Sequence, residues 1–163
     1  MEDNDEIDKE WKLIGLVVSQ FNNLELTITR IISKYIQPKK ERLEFVEKNL
    51  LNNSNVSFGA KVKLITAISK SEGLGKIDRD KLQRLLAIRN AIAHNDVISN
   101  IRTHIPNNPD EDIYRYIVMD RMKSDGTLET LPKSKAYDEF LMLYEEVTNQ
   151  VEAVLHKANE KFV

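Results

Sequence analysis

Two long stretches of this chain carry apolar side chains at steps of three and four residues, with no proline inside either stretch. The first, 8–36, contains Trp11, Ile14, Val18, Phe21, Ile28, Ile32 and Tyr35. The second, 133–161, contains Tyr137, Phe140, Leu141, Tyr144, Val147, Val151, Val154 and Ala158. Residues with this spacing share one side of an α-helix, which must be covered by other apolar surface. The pattern therefore predicts a mainly helical domain built around two long amphipathic helices.

Three shorter helices are predicted between these two, over about 38–51, 58–71 and 79–94. In the first of them Leu43, Val46 and Leu50 are expected to face inward. Ser57 and Asp78 are residue types that cap helix N-termini, and each directly precedes a predicted helix. Gly73 and Gly75 end the 58–71 helix, and Asn95 with Asp96 is expected to close the 79–94 helix.

The segment between 95 and 132 has a different pattern. Pro106–Pro109 is predicted to be a loop, and Tyr114–Met119 is rich in aromatic and β-branched residues that favour a strand. Ser124–Gly126 indicates a turn, after which 127–131 is expected to return as a second strand. We therefore predict a mainly α fold: an antiparallel bundle of about five helices with a β-hairpin, at about 112–131, inserted between helices four and five. Residues 1–163 are expected to form a single domain.

Composition excludes several classes of function. The net charge of -2 provides no overall positive field for nucleic acid, so any RNA contact must come from a local patch. The chain has no cysteine and three scattered histidines, which predicts neither a disulfide nor a metal site, and no cofactor. The acidic N-terminus and the lack of a long apolar run predict no signal peptide and no membrane span. A cytoplasmic location is expected.

Two charged residues fall at positions where the helical period calls for apolar ones. Arg89 lies four residues after Leu85 and three before Ile92, in the stripe of the 79–94 helix. Glu25 interrupts the stripe of the first helix between Phe21 and Ile28. A buried guanidinium cannot lose its proton and needs a partner. We therefore predict an ion pair between Glu25 and Arg89, which on its own would be a structural feature.

His94 ends the same predicted helix, and Asn90 lies one turn before it on the same face. We call Arg89, Asn90 and His94 the Arg-His motif. A lone histidine at a helix end is usually an ordinary surface residue, and its two polar neighbours are what favour a functional interpretation. Arg102, His104 and Arg84 are candidates for a basic rim that binds RNA, or for ordinary solvated residues. Tyr114 and Tyr116 share a strand face, where they either stack on bases or pack against a helix.

At these positions the sequence resembles the HEPN superfamily, whose motif is an arginine followed by four to six residues and a histidine, often with a polar residue after the arginine. Arg89 and His94 match this spacing, with Asn90 in the polar place. The helix start Ser57–Lys61 is similar to that of mannitol-repressor-like relatives, and Glu25 after Leu24 resembles several of these families. The resemblance covers about half of the chain.

The resemblance implies a helical bundle that forms a homodimer. Active members are metal-independent endoribonucleases of toxin–antitoxin, phage-defence and RNA-processing systems. Carried over, His94 would act as general base or acid, Arg89 would stabilise the phosphorane, and Asn90 would position His94 or the phosphate. Other members are non-catalytic modules for dimerisation or for interaction with a protein, such as a regulator or antitoxin. Both functions remain open at this point, and an arginine neutralised by Glu25 would favour the second.

Overall fold

The computed structural model describes residues 2–94, 101–105, 114–122 and 126–162. The long helices are α1, Glu2–Ile36, and α5, Lys133–Lys161. Between them lie α3, Phe58–Glu72, and α4, Arg79–His94. A short segment before α3 contains α2, Leu43–Phe45, flanked by the 3₁₀ turn Lys40–Arg42 and the π-helical turn Val46–Leu50. The predicted mainly helical fold is thus confirmed. No helix in these ranges is long and apolar enough to cross a membrane.

A small antiparallel sheet lies between α4 and α5 in the chain. Its strands are β1, Ile101–His104, β2, Tyr114–Met122, and β3, Leu128–Pro132, in the order β1-β2-β3. Ile117 is opposite Ile101, and Met119 is opposite Leu131. The predicted hairpin is confirmed as β2 and β3, and β1 extends it by one strand. The predicted loop Pro106–Pro109, the turn residues Ser124 and Asp125, and the closing pair Asn95 and Asp96 lie outside the described residues.

Local capping sets the ends of the central helices. The Ser57 hydroxyl accepts a hydrogen bond from the Ala60 amide at 3.4 Å, and the Asp78 carboxylate accepts one from the Lys81 amide at 3.2 Å. Both side chains satisfy amides that a helix N-terminus leaves without a carbonyl partner. Gly73 ends α3 with φ +66°, a conformation that favours glycine, and Leu74 then donates to the Ser69 carbonyl at 3.0 Å.

The chain divides into two compact units, and the boundaries fall inside α1, α4 and α5. The first unit comprises Met1–Ser19 and Leu85–Met142, and the second comprises Gln20–Arg84 and Leu143–Val163. The single domain over 1–163 stays a prediction. In the first unit the sheet residues Val118 and Met119 are buried, as is Phe140 of α5. In the second unit the core is formed by helices, with the rings of Phe21 and Phe58 4.6 Å apart.

Five apolar positions are more exposed than the sequence pattern predicts, including Tyr35 of α1 at 43% and Leu141 of α5 at 44%. Trp11 is 58% exposed, so its expected place in the buried stripe of α1 is wrong. Leu43 and Leu50 are also exposed, whereas Val46 is buried as predicted. The backbone changes from 3₁₀ to α to π hydrogen bonding along this short segment, so the regular helical period does not apply there.

Candidate functional site

The buried face of α4 determines where the Arg-His motif points. Leu82, Leu85, Ile88 and Ile92 are the fully buried residues of this helix, each no more than 1% exposed. Ile88 therefore occupies the centre of the buried face, where the sequence analysis had placed Arg89. Arg89 lies one position later, about 100° round the helix, on the flank of the buried face. Its side chain is half-buried rather than enclosed in the core.

The guanidinium of Arg89 is held by its neighbour. Nη1 of Arg89 donates a hydrogen bond to Oδ1 of the exposed Asn90 at 3.0 Å, while Nε lies buried on the inner side. A hydrogen bond from a guanidinium to a neighbouring amide oxygen restricts the orientation of the guanidinium. The Asn90 amide thus positions Arg89, a role that the sequence analysis had assigned to it toward His94.

His94 is the last residue of α4 and is exposed to solvent. It follows Arg89 by five residues, which corresponds to a rise of about 7.5 Å and a rotation of about 140° on a helix. One copy of the motif therefore presents its arginine and its histidine on different sides of the same helix end. Histidine is a residue type that serves in proton transfer, and arginine is one that binds phosphate oxygens.

The three residues predicted to form a basic rim have different surroundings. Arg102 is exposed and His104 is half-buried; both lie on β1, two residues apart and so on one face of the strand. They pair in register with Tyr116 and Tyr114 of β2, respectively. Tyr116 is half-buried, and the side chain of Tyr114 lies outside the described residues. Arg84 is an exposed residue of α4 that belongs to the second unit.

Glu25 is buried, but its partners differ from the predicted one. Its Oε1 accepts a hydrogen bond from Nζ of Lys61 at 2.6 Å, and its Oε2 accepts one from Nδ2 of Asn53 at 2.7 Å. Nζ of Lys61 also donates to Oδ1 of Asn53 at 3.4 Å, which closes a ring of three side chains. The predicted Glu25–Arg89 ion pair is corrected accordingly, because both carboxylate oxygens of Glu25 are occupied within its own unit.

The sequence contained a signal for Lys61 that the analysis did not use. Lys61 lies three residues after Phe58 and four before Ile65, and therefore in the buried stripe of α3. It is 3% exposed. The same argument that selected Glu25 and Arg89 thus also applies to Lys61, which is the true counter-ion of Glu25.

A second buried ionic group lies in the first unit. Lys133 is 1% exposed at the start of α5, and its Nζ lies 3.1 Å from Oε2 of Glu10. The hydroxyl of Tyr137 donates to the same carboxylate oxygen at 3.3 Å. Burial first, and then the neighbouring Glu10 carboxylate, raise the pKa of the Tyr137 hydroxyl far above its ordinary value. Lys133 lies four residues before Tyr137 and seven before Phe140, so it is in phase with the buried stripe of α5, a signal like that of Lys61.

Within the described ranges, no cluster of three or more histidine, aspartate or glutamate side chains is arranged to hold a metal ion. The Arg-His motif at the end of α4 combines the Arg89–Asn90 hydrogen bond with the exposed side chain of His94. Comparison of the chain with protein-family models, with curated proteins and with solved structures finds no match in any of the three.

Proposed function

We propose that the chain is a HEPN-like, metal-independent endoribonuclease. The ribose 2′-hydroxyl attacks the adjacent phosphorus, a bond forms from the 2′-oxygen to phosphorus, and the bond from phosphorus to the 5′-oxygen breaks. The products end in a 2′,3′-cyclic phosphate and a 5′-hydroxyl. The observation that carries the proposal is the hydrogen bond from the Arg89 guanidinium to Asn90 on the helix whose last residue, His94, is exposed.

Each residue of the motif has a distinct role in this reaction. An imidazole of His94 removes the proton of the 2′-hydroxyl or supplies the proton of the leaving 5′-oxygen. Arg89 binds the non-bridging phosphate oxygens, whose negative charge grows in the transition state. Asn90 is a positioning residue that holds the guanidinium through its Oδ1. The reaction needs no metal, since arginine supplies the compensating charge.

The separation of Arg89 from His94 favours a homodimer as the active form. The two side chains project about 140° apart from one helix, so a single copy surrounds a phosphate poorly. Acid and base catalysis at the two oxygens is also served best by two imidazoles. A twofold axis that brings two α4 ends together supplies both imidazoles and both guanidinium groups in one groove.

The pairing of Glu25 bears on the choice between a catalytic and a purely structural function. The acid that the sequence analysis assigned to Arg89 is engaged by Lys61, at 2.6 Å, with Asn53 on its other oxygen. Glu25 is therefore not the residue that neutralises Arg89, which removes one objection to a catalytic role for the motif. Arg102 and His104 on β1 are the proposed additional contacts to the RNA backbone, and an RNA contact by Arg84 of the second unit stays a separate prediction. A toxin or phage-defence effector acting on cytoplasmic RNA, held in check by an antitoxin, is the setting that this activity suggests.

Cleavage of RNA by the purified protein in EDTA tests the proposal. The wild type should convert a labelled RNA to products with cyclic phosphate ends, and His94→Ala should lose at least about a hundredfold in rate. His156→Ala is the matched control, because His156 is an exposed helix histidine that lies 3.4 Å from Glu160 and outside the motif. Equal rates for His94→Ala and His156→Ala would remove His94 from the mechanism.

One observation favours a second candidate function, a non-catalytic HEPN-like dimerisation or interaction module similar to mannitol-repressor-like regulators. Trp11 is 58% exposed and Leu16 is 46% exposed on α1, and exposed tryptophan is typical of protein interfaces. This alternative predicts that the pure protein cleaves no RNA, and that Trp11→Ala weakens association whereas His94→Ala does not.

A further inference from the structure

Strand β1 lies at one edge of the sheet in the first unit, because the strand order is β1-β2-β3. Its inner side pairs with β2, and among the described strands none pairs with its outer side. The backbone amides and carbonyls along an outer strand edge are groups to which another extended strand adds by hydrogen bonding. The outer edge of β1 is therefore a surface that fits a partner strand.

The two edges of this sheet differ in the features that prevent such pairing. Edge strands are commonly protected by proline, by charged side chains or by a bulge. At the other edge, β3 contains Glu129 and ends at Pro132, which has no amide to donate. β1 contains neither proline nor glycine, and β-branched residues alternate from Ile101 through Thr103 to Ile105. Because such residues favour extended pairing, β1 is the edge whose sequence permits it.

The residues along the edge strand are open to solvent. Arg102 and Thr103 are exposed, and Ile105, directly after the strand, is 74% exposed. That is the largest exposed fraction among the large apolar side chains of the described residues. A second strand beside β1 removes apolar surface of this kind from water, which favours association.

The order of residue types over 101–105 is the same in both directions: isoleucine, basic residue, threonine, basic residue, isoleucine. Two copies related by a twofold axis present the same surface to each other, so their β1 strands pair antiparallel. With the axis at Thr103, threonine lies opposite threonine and Ile105 lies opposite an isoleucine, which are favourable cross-strand pairs. Arg102 then lies opposite a histidine position. An axis at Arg102 would instead place two guanidinium groups opposite each other, and like charges in that position destabilise a sheet.

We propose that β1 pairs antiparallel with β1 of a second copy of this chain, about a twofold axis at Thr103, so that the two sheets form one sheet of six strands. The inference deepens the proposed function and rests on it for its role, because it supplies an interface for the homodimer with the shared groove. β1 begins seven residues after His94, so each α4 end lies within about 25 Å of its own β1. Two strands of four residues bury less surface than the roughly 1,200–2,000 Å² of a stable dimer, so the association should be weak and reversible.

Because the chain has no cysteine, a single introduced cysteine reports this pairing directly. In the proposed register the two Cβ atoms at position 103 lie about 4.5–5.5 Å apart, which a small adjustment brings within reach of a disulfide. Oxidation of purified Thr103→Cys with copper phenanthroline, without RNA, should convert most of the chain to a covalent dimer. Thr130→Cys is the matched control and should remain uncoupled, because Thr130 is the exposed threonine at the centre of β3, at the other edge.

Sedimentation equilibrium of variants without cysteine provides a second measurement. Thr103→Lys places two ammonium groups opposite each other at the axis and should weaken association about tenfold, whereas Thr130→Lys should leave it unchanged. Both threonines are exposed, so both variants should fold, which circular dichroism verifies.

Equal coupling of Thr103→Cys and Thr130→Cys, or equal association of Thr103→Lys and the wild type, would overturn the pairing. A wild type that stays monomeric at millimolar concentration would overturn it as well. The two proposals fail separately. Coupling of Thr103→Cys alongside a wild type that cleaves no RNA refutes only the ribonuclease function, and RNA cleavage without coupling at position 103 refutes only the pairing.

Discussion

Glu25 and Lys61 form a buried ion pair with 2.6 Å between Oε1 and Nζ, and their side chains are only 9% and 4% exposed. Asn53 satisfies the other carboxylate oxygen and contacts the ammonium. This arrangement joins α1, the loop before α3 and α3 itself at one point in the second unit. Such a pair contributes little net stability compared with apolar residues, but the loss of one partner leaves a buried charge uncompensated.

We expect Glu25→Ala to lower the free energy of unfolding by about 3–5 kcal/mol, because the ammonium of Lys61 then remains buried without its counter-ion. Urea denaturation followed by circular dichroism measures this change. The double variant Glu25→Met with Lys61→Met should be more stable than Glu25→Ala, since it removes both charges and fills the space. Glu44→Ala is the control, because Glu44 and Lys48 form an exposed pair whose loss should be undetectable. Equal effects of Glu25→Ala and Glu44→Ala would contradict the buried pairing.

The second prediction concerns alkaline pH and Tyr137. Burial and the Glu10 carboxylate raise the pKa of Tyr137 in the folded state, whereas the unfolded value is about 10. The stability that depends on the neutral hydroxyl is therefore complete below pH about 10 and is lost as the pH rises through the folded-state pKa. Relative to Tyr137→Phe, the wild type should lose stability as the pH rises above about 10, measured by urea midpoints. Parallel stability curves for the two proteins over this range would show that Tyr137 is not buried against Glu10.

The third prediction tests whether Asn90 orients the Arg89 guanidinium or stabilises the fold. Asn90→Ala removes the acceptor of the 3.0 Å hydrogen bond from Arg89 Nη1, and Asn90 is exposed, so stability should change by less than about 0.5 kcal/mol. The rate of RNA cleavage should fall about tenfold, since an unheld guanidinium samples other orientations. Asn90→Asp, which restores an acceptor, should recover part of the loss. If Asn90→Ala cleaves RNA as fast as the wild type, Asn90 does not position Arg89.

Most of the helical fold could be predicted because its signals are local. Ser57 and Asp78 mark the starts of α3 and α4, and the predicted bounds of α4 and α5 agree with the structure. Strand β1 has only four residues and no alternation that distinguishes it from a loop, so it becomes visible only through its pairing with β2. Trp11 was misassigned because periodicity shows which residues share a face, but not how far along a helix that face remains covered.

The candidate site was predicted less completely, for a geometric reason. Arg89 and Ile88 are adjacent in the sequence, and the choice of which lies at the centre of the buried face depends on a rotation of about 100°. The structure places Ile88 there, which moves Arg89 to the flank, where it is held by Asn90. Whether Arg89 or Lys61 pairs with Glu25 depends on the distances between the helices. The pattern of a single sequence does not specify these distances.

The fourth prediction concerns the oligomeric state. If two α4 ends form one active groove, an inactive His94→Ala chain mixed with an inactive Arg89→Ala chain should regain part of the wild-type cleavage rate through mixed dimers. Sedimentation equilibrium of each protein provides the association state in the same buffer. Monomeric behaviour together with full wild-type activity would contradict the proposed shared groove.

The most direct test of the proposed activity compares one RNA oligonucleotide with its 2′-O-methyl counterpart, both incubated with the pure protein in EDTA. We predict that the unmodified RNA is cut to fragments ending in a 2′,3′-cyclic phosphate, while the methylated RNA remains intact because its 2′-oxygen cannot attack. Cleavage of both substrates at equal rates, or of neither, would contradict the assignment of the Arg-His motif as a ribonuclease site.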